Sequence, residues 1–258
     1  MINNFPKALN LLKFELQTFP ETLVVLGSGW NKVLEQAEVI KEVPYQDFLG
    51  VSSSVPGHEG KLIIAKVEGK TVGFMQGRLH TYEGYTSNEV TLPIQLFAEL
   101  GLKKMIVTAA AGGLNEQYQV GDFVILNDMI TSFCQSPLSG AQFQDLSQAF
   151  DPQLRKKAVD ICTKLNIPFH EGVYCYTQGP HFETPADKRL FAKLGADVIG
   201  MSTVPETIMA RFLRLEVLGL AFVTNLAFVK HDHQDVLAAA DRGSKQMVEL
   251  LNELIFLV

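Results

Sequence analysis

"KLIIAKVEGKTVGFMQG", residues 61–77, holds two apolar, β-branched runs, 61–67 and 71–77, on either side of a short link that contains Gly69. Strands this close pair as an antiparallel hairpin, because so short a link leaves no room for a crossover helix. The flanking sequence is of another kind. "TLVVLG" (22–27), "KMIVTAA" (104–110), "DFVILND" (122–128), "GVYCYTQ" (172–178), "ADVIGM" (196–201) and "GLAFVTN" (219–225) read as strands, several of them apolar on both faces. Such runs must be covered on both sides, as strands lying between helices are. Helical spacing recurs between them at 87–100, 151–165, 184–194 and 204–215, and again from Asp235 to Leu257, where Leu237, Met247, Leu250, Leu251 and Leu254 form the apolar stripe. Pro185 and Pro205 fall where a first helical turn tolerates proline, each just after a threonine suited to capping. A hairpin inside this alternation excludes a purely parallel sheet. The expectation is an α/β fold with a mixed, partly closed central sheet flanked by helices.

A chain of 258 residues with 47% hydrophobic content can bury a sizeable core. No internal repeat, low-complexity tract or long linker divides it, so residues 1–258 are expected to form one domain. The net charge of −6 argues against a nucleic-acid partner but leaves room for a local anion site. At the N-terminus, Phe5, Leu9, Leu12, Leu16 and Phe19 recur at helical intervals, while Lys7 and Lys13 interrupt them. That pattern predicts an amphipathic docking helix, not a signal peptide or a membrane span. Cys134, Cys162 and Cys175 are odd in number and lack C-x-x-C spacing, so no disulfide framework or zinc knuckle is expected, and the default is a reduced, cytoplasmic protein.

The polar and glycine-rich pieces fall at strand ends, where open α/β sheets place ligands. "GSG" (27–29) fails as a dinucleotide fingerprint because Lys32 takes the place of the third glycine; it is either a plain turn or a phosphate cradle in which Ser28 adds a hydroxyl. In "QGRLHTYEGY" (76–85), Arg78 and His80 flank Leu79 and in extended chain point the same way. They form an oxyanion site or a salt-bridged, solvated hairpin end. "VPGHEGK" (55–61) carries His58. "TAAAGG" (108–113) lets a backbone N–H such as that of Ala110 come close to a ligand, and "GMSTVPE" (200–206) opens a helix after Met201 and Ser202. "QGPHFET" (178–184) is either a loop tethered by one ring or a pocket wall, in which Phe182 stacks on a flat ligand and Glu183 reads its edge. Asn225 closes an apolar strand and serves as a structural bridge or as a reader of a heterocycle. "HDH" (231–233) with His80 suggests a metal, but the matching carboxylate–histidine motif is missing, so no metal is expected.

In order and at workable spacing, "VVLGSG", "VPGHEGK", "QGRLHTYEGY", "AAAGGLN", "QGPHFET", "GADVIGMSTVPE" and "VTN" resemble the trimeric purine nucleoside phosphorylases of the inosine–guanosine type. The likeness runs from about residue 20 to the C-terminal helix. It implies phosphorolysis of the N-glycosidic bond of 6-oxopurine (deoxy)ribonucleosides, with orthophosphate as co-substrate and no cofactor. Residue by residue, it implies that Ser28, Arg78, His80, the Ala110 backbone and Ser202 bind phosphate, with His58 beside them. Tyr82 and Met201 would hold the ribose, and His233, with His231 as its competitor, would reach the 5′-hydroxyl. Phe182 would pack on the base, Glu183 would accept from N1–H, Asn225 would address N7 and O6, and Leu226 and Ala227 would tune the base pocket. His80, Glu183 and Asn225 are the implied catalytic residues. Phe143 would reach a neighbour's ribose pocket in a homotrimer with shared sites. Nucleic acid and membrane are not expected partners. A hydrolytic nucleosidase, a metal hydrolase and a non-enzymatic nucleotide sensor remain as competing readings of the residues.

Overall fold

A computed structural model describes residues 2–16, 18–52, 59–229 and 233–257. The 61–77 hairpin is present as β3 (Lys61–Val67) and β4 (Lys70–Gln76), in register from Lys61↔Gln76 to Val67↔Lys70. The link is tighter than its sequence suggests. Only Glu68 and Gly69 lie between the strands, at φ +49° and +81°, the paired positive values of a two-residue turn that matches strand twist.

The remaining strands are β1 (Thr22–Leu26), β2 (Glu38–Pro44), β5 (Lys104–Gly113), β6 (Phe123–Ile130), β7 (Phe169–Tyr176), β8 (Val198–Gly200) and β9 (Glu216–Leu226). They form one sheet in the order β2-β3-β4-β1-β5-β8-β7-β6-β9, and an added β5–β9 pairing closes the last five into a ring. Parallel pairs (β1–β4, β1–β5, β5–β9, β6–β7, β7–β8) mix with antiparallel ones (β2–β3, β3–β4, β5–β8, β6–β9). The mixed, partly closed sheet is therefore what the hairpin implied. β5 is its hinge: the register shifts between Ala111 and Gly112, and Gly112 and Gly113 then pair with β8. A Cβ at Gly113 would stand 3.1 Å from Val223 Cγ1, so the glycines here let strands approach as closely as closure requires.

Helices cover both faces: α1 (Phe5–Glu15), α2 (Tyr45–Phe48), α3 (Ser87–Glu99), α4 (Pro152–Leu165), α5 (Pro185–Lys193), α6 (Val204–Phe212) and α7 (His233–Leu257). Alternate residues of one strand serve opposite layers. Leu23 and Val25 pack with Leu12 of α1 and Phe97 of α3, while Val24 and Leu26 pack with Ala158 of α4 and Leu251 of α7. Two-sided burial of this kind is why β1 reads as an unbroken apolar run.

Several local expectations shift. The N-terminal helix stops at Glu15, and Phe19 lies beyond it, stacked on Phe97 with centroids 4.7 Å apart. β2 has no counterpart among the expected strands. It is an edge strand with Val39 and Ile40 exposed and only Val43 buried, so its sequence carries no clear alternation. On α7, Met247, Leu250, Leu251 and Leu254 are buried, but Leu237 is 36% exposed. Thr184 caps α5, its Oγ1 accepting from Asp187 N at 3.2 Å, whereas Thr203, at the start of α6, makes no side-chain cap and sits at φ +75°. Among the described residues, no helix is long and apolar enough to cross a membrane.

Candidate active site

The C-terminal ends of β1, β4, β5, β8 and β9 surround a cavity of about 280 Å³, which the loop after β7 and Val236 of α7 complete. Its wall includes Ser28, Arg78, His80, Tyr82, Ala110, Phe182, Glu183, Met201, Ser202 and Asn225. Ten positions singled out along 198 residues of chain thus meet around one space.

One end of the cavity is polar and deeply buried. Arg78 is 1% exposed; its Nη1 donates to Glu206 Oε1 of α6 at 3.2 Å, and its Nη2 donates to the Thr108 carbonyl. Gly27 makes room for this arrangement. Its N–H donates to Thr108 Oγ1 at 2.9 Å, and a Cβ there would lie 2.6 Å from Thr108 O and 3.1 Å from Arg78 Nη2. Gly29, at φ +85°, sits against Ala240 of α7, where a Cβ would approach to 2.3 Å. The glycines of "GSG" therefore serve packing as well as any ligand. The Arg78–Glu206 pair also corrects the picture of a solvated arginine at a hairpin end, since both partners are buried.

His80 is buried and stacks on Tyr82 with ring centroids 4.6 Å apart and the rings nearly parallel. Its Nδ1 lies 3.1 Å from Glu83 Oε1, which also accepts from the His80 backbone N–H at 2.9 Å. Burial lowers the imidazole pKa from its ordinary value, and the bond to Glu83 opposes that shift without reversing it. A carboxylate only accepts, so Nδ1 carries the proton and the ring is the Nδ1–H tautomer. Ser202 N donates to Tyr174 Oη at 3.5 Å, and burial pushes the Tyr174 phenol up to about 12. The positive φ of the β-branched, fully buried Thr203 costs on the order of 1–3 kcal/mol, a strain that the surrounding packing must hold.

The other end is more open. Phe182 is 41% exposed, and half-buried Glu183 accepts at Oε1 from the Thr177 hydroxyl at 2.7 Å. Asn225 Oδ1 accepts from the Thr224 hydroxyl at 3.0 Å, while its Nδ2 lies 3.1 Å from where a Gly112 Cβ would be. Met201 packs over Gly179, whose missing side chain it replaces.

Not every expected residue joins this wall. Ala227 is instead buried with Leu114, Cys175, Phe191, Ala196 and Ile199, its N–H donating to Gly113 O at 2.8 Å. That bond extends the β9–β5 pairing past Leu226 and turns the methyl group into the apolar cluster. Phe143, expected at a neighbour's pocket and not at this wall, is 89% exposed and lines a separate surface hollow with Cys134, Leu146 and Ile208. His58 and His231 lie outside the described residues, as does the side chain of His233. Among the described residues, no group of three or more His, Cys, Asp or Glu is placed to hold a metal ion.

Glu83, Glu206, Thr177, Thr224 and Val236 were not assigned roles from sequence. Glu83 had a readable signal, the three-residue spacing from His80 that makes a capping box. The partners of Glu206 and Thr177 depend on tertiary contact.

The family model described as Phosphorylase superfamily matches residues 21–255, and the chain belongs to that superfamily. Within it, the chain is an enzyme of the purine nucleoside phosphorylase family. It is 36% identical to purine nucleoside phosphorylase 1 of Geobacillus stearothermophilus, covering 96% of this chain and 95% of the relative. It is 39% identical to the purine nucleoside phosphorylase of Mycobacterium tuberculosis, covering 91% and 88%. Among solved structures, isoform 2 of the Schistosoma mansoni enzyme, in complex with cytosine and ribose-1-phosphate, superposes with a TM-score of 0.90 at 33% identity, covering 98% of this chain and 95% of that one. The Schistosoma mansoni purine nucleoside phosphorylase in complex with inosine gives 0.88 at 34% identity, with 97% and 95% covered.

Proposed function

We propose that this chain catalyses phosphorolysis of the N-glycosidic bond of 6-oxopurine (deoxy)ribonucleosides, inosine and guanosine, releasing free purine and (deoxy)ribose 1-phosphate for purine salvage. One observation carries the reading. A single cavity joins a buried polar end, where the Arg78 guanidinium lies with His80 and Ser202, to an end bearing Glu183 and Asn225. A hydrolytic nucleosidase has no use for the first end.

Orthophosphate is assigned to Ser28, Arg78, His80, the Ala110 backbone and Ser202. Glu206 holds the guanidinium in place before substrate arrives, so little reorganisation is left for the reaction. Neutral His80, with Nδ1–H committed to Glu83, offers Nε2 as an acceptor for the P–OH of monohydrogen phosphate. Tyr82 and Met201 are assigned to the ribose. As the glycosidic bond breaks, positive charge grows on the sugar and negative charge on the purine. The phosphate dianion stabilises the first and then bonds to C1′. Asn225 stabilises the second: its Oδ1 accepts from Thr224, and the amide nitrogen is the donor suited to N7 and O6. Phe182 packs on the base, and Glu183 fixes it through N1–H. The protein supplies positioning and electrostatics, and neither a protein nucleophile nor a metal takes part in this scheme.

We assign exposed Phe143 to a neighbouring subunit's ribose pocket in a homotrimer, since a ring that is 89% exposed has almost no contact within its own chain. Solution mass should then be three times the chain mass or a multiple of that, and a fully active monomer would refute the shared site.

The test of the reaction is base release from inosine, guanosine, xanthosine and adenosine, with and without orthophosphate. Release from inosine and guanosine only with phosphate is expected. Equal release in phosphate-free buffer assigns a hydrolase instead.

A further inference from the structure

We propose that Thr177 is a positioning and specificity-determining residue, whose hydroxyl holds the Glu183 carboxylate in the orientation that reads a 6-oxopurine edge. The inference rests on the function proposed above. Thr177 immediately follows β7, and its N–H donates to Gly200 O at 2.9 Å, fastening it to the end of β8. Its Oγ1 donates to Glu183 Oε1 at 2.7 Å, six residues further on. At the far end of the same loop, Thr184 caps α5 and its N–H donates to Asp187 Oδ2 at 3.0 Å. Glu183 therefore sits on a segment anchored at both ends, and its side chain is tied back to the sheet. Thr177 is not part of the cavity wall, whereas Glu183 is, so Thr177 acts through Glu183.

A glutamate on a half-exposed loop ordinarily samples several rotamers, and ordering it opposes binding. A hydroxyl at 2.7 Å removes that freedom in advance. It also divides the two carboxylate oxygens between tasks. Oε1 is engaged by Thr177, and Oε2 has no hydrogen-bond partner among the described residues. An ionised carboxylate only accepts, so the oriented group pairs with N1–H of a 6-oxopurine and finds no donor at N1 of adenine. Base stacking by Phe182 does not depend on this orientation. Loss of the Thr177 hydroxyl should therefore fall on discrimination between bases rather than on turnover at large.

The experiment compares Thr177→Val, which removes the donor at nearly constant volume, with Thr177→Ser, which keeps it. Thr177→Ala serves as a second donor-free variant should valine fail to fit. Measured for each are kcat/KM for inosine and adenosine at saturating phosphate, KM for phosphate, and the thermal midpoint. Removing a hydrogen bond to a charged group should lower inosine kcat/KM about tenfold. Adenosine should change by less than about twofold and KM for phosphate should hold, with Thr177→Ser near wild type. A wild-type inosine-to-adenosine ratio in the donor-free variants, or an equal fall for both nucleosides, overturns the inference and leaves the phosphorylase intact. Wild-type enzyme that releases no base in phosphate overturns the functional reading and this inference together.

Discussion

Arg78 and Glu206 are each 1% exposed and bond to each other across 128 residues of chain, whereas Phe182 and Glu183 ride on the loop between β7 and α5, with Phe182 41% exposed. The first pair is part of the core, surrounded by strand ends and α6. In the second, Glu183 is held by its bond to the Thr177 hydroxyl and the loop by the cap of α5. A group built into the core cannot be changed without disturbing the fold, while a group on a fastened loop can be altered for selectivity at little structural cost. On the proposed reaction, the anion would then be held where the structure is least forgiving, and the base would be chosen where the structure yields.

Arg78→Ala should break this contrast most visibly. It removes the proposed phosphate contact and leaves Glu206 buried beside no cation, so stability should fall by about 3–5 kcal/mol. Turnover at fixed phosphate should fall by on the order of 10³-fold, a loss of the size seen when a preorganised charge contact is removed. Chemical denaturation and phosphate saturation curves measure the two losses. Replacing both partners, as in Arg78→Met with Glu206→Gln, should recover much of the stability and none of the activity.

Glu183→Ala should show the opposite balance. Inosine kcat/KM should drop by about 10²-fold or more, because the base loses the group proposed to read N1–H, while stability moves by no more than about 0.5 kcal/mol. A large fall in thermal midpoint would erase the distinction between the two ends.

Gly27→Ala tests the packing beneath Arg78 without touching its charge. The added Cβ would meet Thr108 O at 2.6 Å, a backbone atom that cannot swing aside, so a loss of about 1–3 kcal/mol is expected together with a raised KM for phosphate. An unchanged midpoint would mean that the buried end is more compliant than its contacts imply.

The smallest effect concerns pH. His80 has a folded pKa below its ordinary value of about 6.5 because burial disfavours the charged ring. On acidification the unfolded chain takes up this proton first, so the contribution is full above about pH 6.5 and is lost as pH falls toward the folded value. His80→Gln should flatten that part of the stability profile between pH 7.5 and 5. Urea midpoints with the same slope in both proteins would assign the acid sensitivity elsewhere.

Much of this was readable along the chain. The 61–77 hairpin, the apolar runs of β1 and β5 and the proline-led starts of α5 and α6 depend on neighbours a few residues away, and each was found close to its observed bounds. The cavity wall was legible for a related reason: small and polar residues interrupt apolar strands at Ser28, Arg78, Ala110, Ser202 and Asn225. β2 escaped because an edge strand with exposed Val39 and Ile40 has no buried face to impose alternation. Ala227 lies outside the cavity wall because one further hydrogen bond to Gly113 carries it past the cavity mouth, and nothing in "NLAF" signals that bond.

Local chemistry determined most of the strands and helices and their order, the hairpin that makes the sheet mixed, and the set of polar groups available at strand ends, since propensity, capping and turn geometry act over a few residues. Closure of the β5–β9 ring, the burial of Arg78 against Glu206 and the bond from Thr177 to Glu183 came only with the folded chain. Each depends on register and on side-chain direction at the meeting of separate elements. A shift of one residue in a strand would turn its side chains to the opposite face, and the same polar groups would then never share a cavity.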